Sequence, residues 1–215
     1  MTAGLFITLE GIEGAGKSTV ACWVLEWLQQ RALRAQLTRE PGGTALAERV
    51  RRIALERGEE TLSAVTETLL MFAARGIHLE NLIRPALARG EWVVCDRFTD
   101  ATRAYQGFGR GVESAWIEDL AARVHGDLQP ACTLLLDLPV EVGLQRARRR
   151  QAGAPDRFEA ETYGFFERVR AGYLEQARRE PGRIRIIDAS AAIEDVQRQV
   201  SEVLLGLVAS RTGGG

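Results

Sequence analysis

The stretch Gly11-Ile12-Glu13-Gly14-Ala15-Gly16-Lys17-Ser18 carries the spacing of a polyphosphate cradle: a glycine, four residues, then Gly-Lys-Ser. Glycines let successive backbone N–H groups turn inward around phosphate oxygens. Lys17 then reaches the outer phosphates, and the Ser18 hydroxyl is offered to Mg²⁺. The flanks agree with the mechanism. Leu5–Glu10 (LFITLE) reads as a strand feeding the glycines, and Ser18–Arg31 reads as a helix whose N-terminal end favours anions. Gly11, Ile12, Glu13, Gly14, Ala15, Gly16, Lys17, Ser18 and Thr19 are therefore the expected contacts to a nucleoside triphosphate accompanied by Mg²⁺. The motif alone does not separate a kinase from a GTPase or a motor. No Asn-Lys-x-Asp base-reading segment follows at a later strand end, and 215 residues are few for a motor. Transfer of the terminal phosphoryl group to a small acceptor is the preferred chemistry.

Residues for the acceptor side cluster after other apolar runs. In Arg39-Glu40-Pro41-Gly42-Gly43-Thr44, Pro and Gly shape a turn, Thr44 can cap a helix and Arg39 can present its fork to a phosphate. A surface turn with a solvated arginine is the plainer alternative. Asp96 and Arg97 follow a third run. A carboxylate there can hold Mg²⁺, directly or through water, or orient the attacking oxygen, and Arg97 can bridge two phosphates. A strand-end ion pair is the competing account. Phe72 and Arg75 lie three apart on a predicted helix, so a ring could stack on a base while the guanidinium meets its edge. By spacing alone, Phe72 reads first as core. Tyr105, Gln106 and Thr102 add a ring, an amide and a hydroxyl that can meet the same base.

Arg146, Arg148, Arg149, Arg150 and Arg157 gather around a Gly153–Pro155 break, with Asp156 and Glu159 beside them. On a closing loop these arginines could neutralise the charge of a transferred phosphoryl group and keep water from competing. A solvated helix face is the alternative. Interleaved acidic residues and the lack of aromatic platforms argue against a nucleic-acid surface.

The elements that must position these residues alternate. Strands are predicted at Leu5–Glu10, Ala35–Thr38, Glu91–Cys95, Cys132–Leu138 and Ile184–Ile187. Helices are predicted at Ser18–Arg31, Gly43–Glu56, Thr66–Arg89, Glu113–His125, Val140–Arg150, Ala160–Arg179 and Ile193–Val208. Such alternation, with near-continuous apolar strands, predicts an α/β fold with a parallel sheet covered on both faces. Ligands then bind beyond the carboxyl ends of the strands, where the polar clusters fall. The charge is balanced, 28 Lys plus Arg against 29 Asp plus Glu, so any anion site must be local. Cys22, Cys95 and Cys132 are widely spaced and read as reduced hydrophobes rather than zinc ligands or disulfides. No apolar segment is long enough to span a bilayer, a cytoplasmic protein is the default expectation, and the final SRTGGG reads as a frayed tail.

In their order and combination, LEGIEGAGKST, TREPGGT, LLMFAAR, CDRFTDATRAYQGFGRG and RARRRQAGAPDRFE resemble the bacterial thymidylate kinases along nearly the whole chain. The resemblance implies a P-loop NTPase-type three-layer fold with five parallel strands, and a homodimer packed through helices. It implies a Mg²⁺-dependent transfer from ATP to dTMP that yields dTDP and ADP. It places Glu13 near the acceptor, Arg39 and Arg97 at the dTMP phosphate, Phe72 stacked on thymine and Arg75 at the base edge. Thr102 and Gln106 follow as polar contacts around the base, with Tyr105 in the same site. The phosphate loop has no extra arginine while residues of about 146–160 have several, which resembles the lid-arginine type. Arg149 and Arg157 are the lid residues expected to reach the transferred phosphoryl, with Arg148 and Arg150 flanking the first. Ala101 stands where Ser is frequent, and Arg103 where an uncharged residue is usual. A kinase for another nucleoside monophosphate or a deoxynucleoside, or a regulatory P-loop NTPase, are the competing readings.

Overall fold

The computed structural model describes residues 4–56, 60–150, 157–158 and 161–212, with the side chains of residues 150, 211 and 212 left aside. Five strands form one parallel sheet in the order β2-β3-β1-β4-β5: β1 (Phe6–Glu10), β2 (Ala35–Arg39), β3 (Trp92–Asp96), β4 (Cys132–Asp137) and β5 (Ile184–Asp188). The expected strands agree with these to within a residue at each end, the first and third beginning one residue later than expected. β1 is central and every one of its residues is buried. A strand covered on both faces needs apolar side chains on both, which explains the unbroken apolar run in the sequence.

Helices pack on both faces: α1 (Lys17–Gln29), α2 (Ala45–Leu55), α3 (Ala64–His78), α4 (Arg84–Ala88), α5 (Thr99–Thr102), α6 (Ser114–Val124), α7 (Val140–Arg150), α8 (Tyr163–Arg179) and α9 (Ile193–Thr212). Thr44, Ser63 and Thr162 cap α2, α3 and α8, each accepting a hydrogen bond from a backbone N–H three residues on. The single helix expected at Thr66–Arg89 is divided by a π-helical turn at Leu79–Ile83. The expected tail is partly helical, since α9 runs to Thr212. The expected mobile tip Gly153–Pro155, with Asp156 and Glu159, lies outside the described residues.

One helical stretch had no counterpart in the sequence reading. α5 continues into a π-helical segment, Arg103–Gly109, which buries Ala104, Tyr105 and Gln106. TDATRAYQGFG has no apolar stripe at helical spacing and carries two glycines. Its shape comes from tertiary contact. Asp100 is buried between Arg183 and Arg103, Gln176 of α8 donates to the Asp100 carbonyl, and α8 lies so close that a Cβ on Gly109 would collide with Phe165. Propensity gives way to packing here.

Candidate active site

The phosphate loop leaves β1 at the carboxyl edge of the sheet. Gly11 and Gly14 have φ of 137° and 74°, and a Cβ on either would strike a carbonyl oxygen, of Leu136 and Gly143 respectively. Gly11 and Gly14 are thus required by backbone shape and by close approach, and Gly16, with φ of 88° and open space around it, by backbone shape alone. Lys17 is buried and curls over the loop, its Nζ donating to the carbonyls of Gly11 at 3.0 Å and Ile12 at 2.9 Å. Burial, then the Arg97 charge, pushes its pKa down to about 8, while Asp96, Glu13 and Glu10 oppose the shift. Gly11, Ile12 and Ala15 are buried in the loop, whereas Gly14, Gly16 and Ser18 line the cleft above it. Thr19 is exposed on the first turn of α1.

Asp96 ends β3 beside Leu9 of β1. Ser18 Oγ donates to its Oδ2 at 3.3 Å, and Oδ1 is enclosed without a partner among the described residues. Arg97, the next residue, is one of two non-glycine residues with positive φ among those described, at 74°. A left-handed conformation costs a side-chain-bearing residue about 1–3 kcal/mol, and at this strand end it turns the guanidinium back over the loop. There Arg97 Nη2 meets Glu13 Oε1 at 2.7 Å and Tyr105 Oη at 3.0 Å, while Nη1 donates to Tyr173 Oη at 3.3 Å. Tyr105 in turn donates to Glu13 Oε2 at 2.5 Å, and Tyr173 donates to Glu10 Oε2 at 2.7 Å. Glu10, fully buried, is pushed up to about 8 by desolvation and then by Asp100. Glu10 and Tyr173 were not singled out in the sequence. The first was legible as a carboxylate ending the central strand, and the second sits mid-helix with no local signal.

The cleft opens between these groups and α3, with a volume of about 310 Å³. Arg75 lines it as a fixed fork. Its Nε donates to Glu40 Oε2 at 2.7 Å, its Nη2 to Thr102 Oγ1 at 3.1 Å, and the rings of Phe72 and Phe98 lie 4.8 and 5.0 Å from its guanidinium carbon. Nη1 is enclosed and has no partner among the described residues. Glu40 also pairs with His78 Nδ1 at 3.0 Å, and His78 Nε2 with Thr38 Oγ1 at 2.7 Å, an anchoring chain invisible to sequence spacing. Thr102, Tyr105 and Gln106 all line the cleft.

Phe72, Arg157 and Arg149 stand outside the cleft lining, and Arg39 only at its border. Phe72 does not line the cleft: it packs with Ile117 and Ala121, and Met71 faces the cleft instead. Positions three and four before Arg75 both share its helix side, so spacing could not choose between them. Arg39 borders the cleft but is exposed, gripped by Glu48 through Oε1 at 3.2 Å and Oε2 at 3.1 Å. Arg157 is bound to the acceptor-side helices, donating to the carbonyls of Ala54 and Leu62 and pairing with Glu67 at 3.3 Å, while neighbouring Phe158 closes one wall of the cleft. Arg149 is exposed near the end of α7. Among the described residues no group of three or more His, Cys, Asp or Glu forms a metal cluster. The Ser18 hydroxyl and the Asp96 carboxylate with its unpaired Oδ1 nevertheless supply the hard oxygens that Mg²⁺ takes alongside phosphate and water.

A glycine-built phosphate loop on the central strand, facing an arginine- and hydroxyl-lined cleft across the same sheet edge, defines a P-loop phosphotransferase. Comparison with known proteins narrows this. The thymidylate kinase family model matches residues 9–200. Thymidylate kinase of Pseudomonas syringae pv. syringae (strain B728a) is 55% identical over 210 residues, 98% of this chain and 99% of that one. Thymidylate kinase of Alkalilimnicola ehrlichii is 54% identical over 97% of this chain and 95% of its own. The crystal structure of thymidylate kinase from Ehrlichia chaffeensis superposes with a TM-score of 0.76 at 32% identity, covering 95% of this chain and 99% of that one. The chain belongs to the thymidylate kinase family.

Proposed function

We propose that the protein transfers the γ-phosphoryl group of ATP to the phosphate of dTMP, giving dTDP and ADP in the supply of dTTP, and that it does so in the cytoplasm with Mg²⁺. Family membership supports the reaction. The observation that carries it at the level of this chain is the Arg97 guanidinium, set among Glu13, Tyr105 and Tyr173 directly over the Lys17 loop. Backbone N–H groups of residues 11–19 and the Lys17 ammonium hold the donor phosphates. Arg97 and Arg39 hold the acceptor phosphate in line with them. That acceptor is already an anion, so positioning and charge neutralisation dominate over base catalysis. Glu13 and Tyr105 fix the Arg97 fork so that it does not reorganise during transfer.

Ser18 and Asp96 would hold Mg²⁺, which when bound neutralises charge on the donor phosphates. Arg75, Thr102 and Gln106 take the base edge, and Met71 with Phe98 supplies apolar walls, while Phe72 supports Arg75 from behind. A lid spanning about 146–160 brings Arg149 and Arg157 toward the transferred phosphoryl. Exposed Leu46 and Ile53 on α2, with Val65 and Leu69 on neighbouring α3, support a homodimer packed through helices. Among the described residues no helix is long and apolar enough to cross a membrane. The deciding experiment is ADP release from MgATP with dTMP, dUMP, dCMP, dGMP or thymidine as acceptor. Stimulation by dTMP above the others is expected. Hydrolysis indifferent to every acceptor would point to a regulatory NTPase and end this reading.

A further inference from the structure

Glu67, on the first turns of α3, was not among the residues singled out by the sequence. Its side chain is 1% exposed, yet it meets three side chains. Oε1 accepts from Gln106 Nε2 at 2.9 Å and from Arg110 Nε at 3.3 Å. Oε2 accepts from Arg110 Nη2 at 3.3 Å and pairs with Arg157 Nη2 at 3.3 Å. The two ends of a glutamine amide are chemically opposite, and a carboxylate paired with guanidinium groups only accepts. The Gln106 amide nitrogen must therefore face Glu67, so its carbonyl oxygen points the other way. That oxygen takes no hydrogen bond from the described residues and is not among the enclosed unpaired atoms, on a residue that lines the cleft. The cleft thus offers an acceptor at Gln106, and Arg75, which also lines it, keeps one enclosed donor, Nη1, that is unpaired among the described residues.

We propose that Glu67 is a specificity-determining positioning residue: by holding the Gln106 amide nitrogen it turns the Gln106 carbonyl toward the base and so selects a base edge with adjacent carbonyl and N–H groups. This rests on the dTMP reading given above. A pyrimidine-2,4-dione presents a carbonyl to Arg75 and its N3–H to Gln106. Cytosine presents an amino group and a bare nitrogen at those places, leaving a donor facing a donor and an acceptor facing an acceptor.

The test is Glu67→Gln. Arg157 and Arg110 Nη2, both at the Oε2 position, take the oxygen of the new amide, which leaves its nitrogen toward Gln106 and Arg110 Nε and forces the Gln106 amide to turn over. Steady-state kinetics with saturating ATP should then show a raised KM for dTMP and a preference for dTMP over dCMP reduced by roughly ten- to a hundredfold, the worth of a misoriented buried hydrogen bond. The ratio of dTMP to dUMP, which share this edge, should stay at its wild-type value, as should the KM for ATP. In a Gln106→Ala background, Glu67→Gln should no longer alter the dTMP to dCMP ratio. An equal loss with all three acceptors, or an undiminished effect without Gln106, overturns the assignment to Glu67 while leaving the dTMP reading standing. Wild-type protein without dTMP-dependent activity overturns both. If Glu67→Gln does not fold, amide exchange in the wild type decides: the Gln106 side-chain amide protons should exchange slowly, and exchange at the rate of open amides overturns the proposal.

Discussion

The proposed transfer leans most on Arg97, and its surroundings explain how that side chain stays in place. Left-handed backbone geometry, an ion pair to Glu13 and two tyrosine hydroxyls leave it few alternatives. Arg97→Ala is expected to lower kcat/KM for dTMP by roughly a hundredfold or more, in line with the loss of one preorganised charge donor. Isothermal titration should show ATP binding largely retained. A variant with unchanged dTMP kinetics would remove the residue from the mechanism. Glu10 makes a second prediction at this scale. Its folded pKa of about 8 lies above the ordinary value of 4.5. Between these values the native state binds more protons than the unfolded chain, so this group makes stability fall as pH rises through that window. Urea titrations from pH 5 to 9 should therefore show Glu10→Gln gaining on the wild type as pH increases. A pH-independent difference would contradict the burial of a protonated Glu10. In sequence terms Lys17, Ser18, Asp96 and Arg97 were legible because each sits where an apolar strand gives way to polar residues. Glu40, Glu67, His78 and Tyr173 were not, because what makes them matter is a partner at least 35 positions away in every case.

At the scale of elements, α3 shows how far periodicity reaches. A helix was readable from spacing, as one run from Thr66 to Arg89, but which of two adjacent residues faces the cleft depends on the axial rotation of α3, which packing against α2, α6 and the 103–109 segment sets. Met71 and Phe72 therefore make a matched test. Phe72→Ala should destabilise the fold by about 3–5 kcal/mol, since it empties a buried aromatic site. Met71→Ala should cost less stability and act on KM for dTMP. Thermal melts and kinetics on the two variants check this, and the reverse pattern would return the base platform to Phe72. The segment 99–109 teaches the complementary lesson. Its composition is that of a loop, yet α8 and Arg183 impose a helical path that delivers Thr102, Tyr105 and Gln106 to one wall. No local rule could have supplied that.

For the molecule as a whole, strand alternation was enough to foresee a parallel sheet with the cleft at its carboxyl edge, because period and burial leave a parallel α/β sheet few other places for a ligand. The order β2-β3-β1-β4-β5 sets β1 and β3 side by side, so the donor loop and Arg97 are neighbours by topology alone. Assembly is tested at this scale. Ile53, 63% exposed on α2, lies among the apolar side chains assigned to the dimer. Ile53→Asp should shift sedimentation from dimer toward monomer without loss of helical signal, and an unchanged dimer would move the interface elsewhere.

Glu48 grips Arg39 and also accepts the Gly43 N–H at 3.0 Å, the two kinds of donor that an oxyanion would otherwise find there. Glu48 occupies the Nε and Nη2 donors of a guanidinium that is 55% exposed. An anion seeking that two-nitrogen edge competes with a tethered carboxylate for it, so paired attachment there is worth only the difference between two similar contacts.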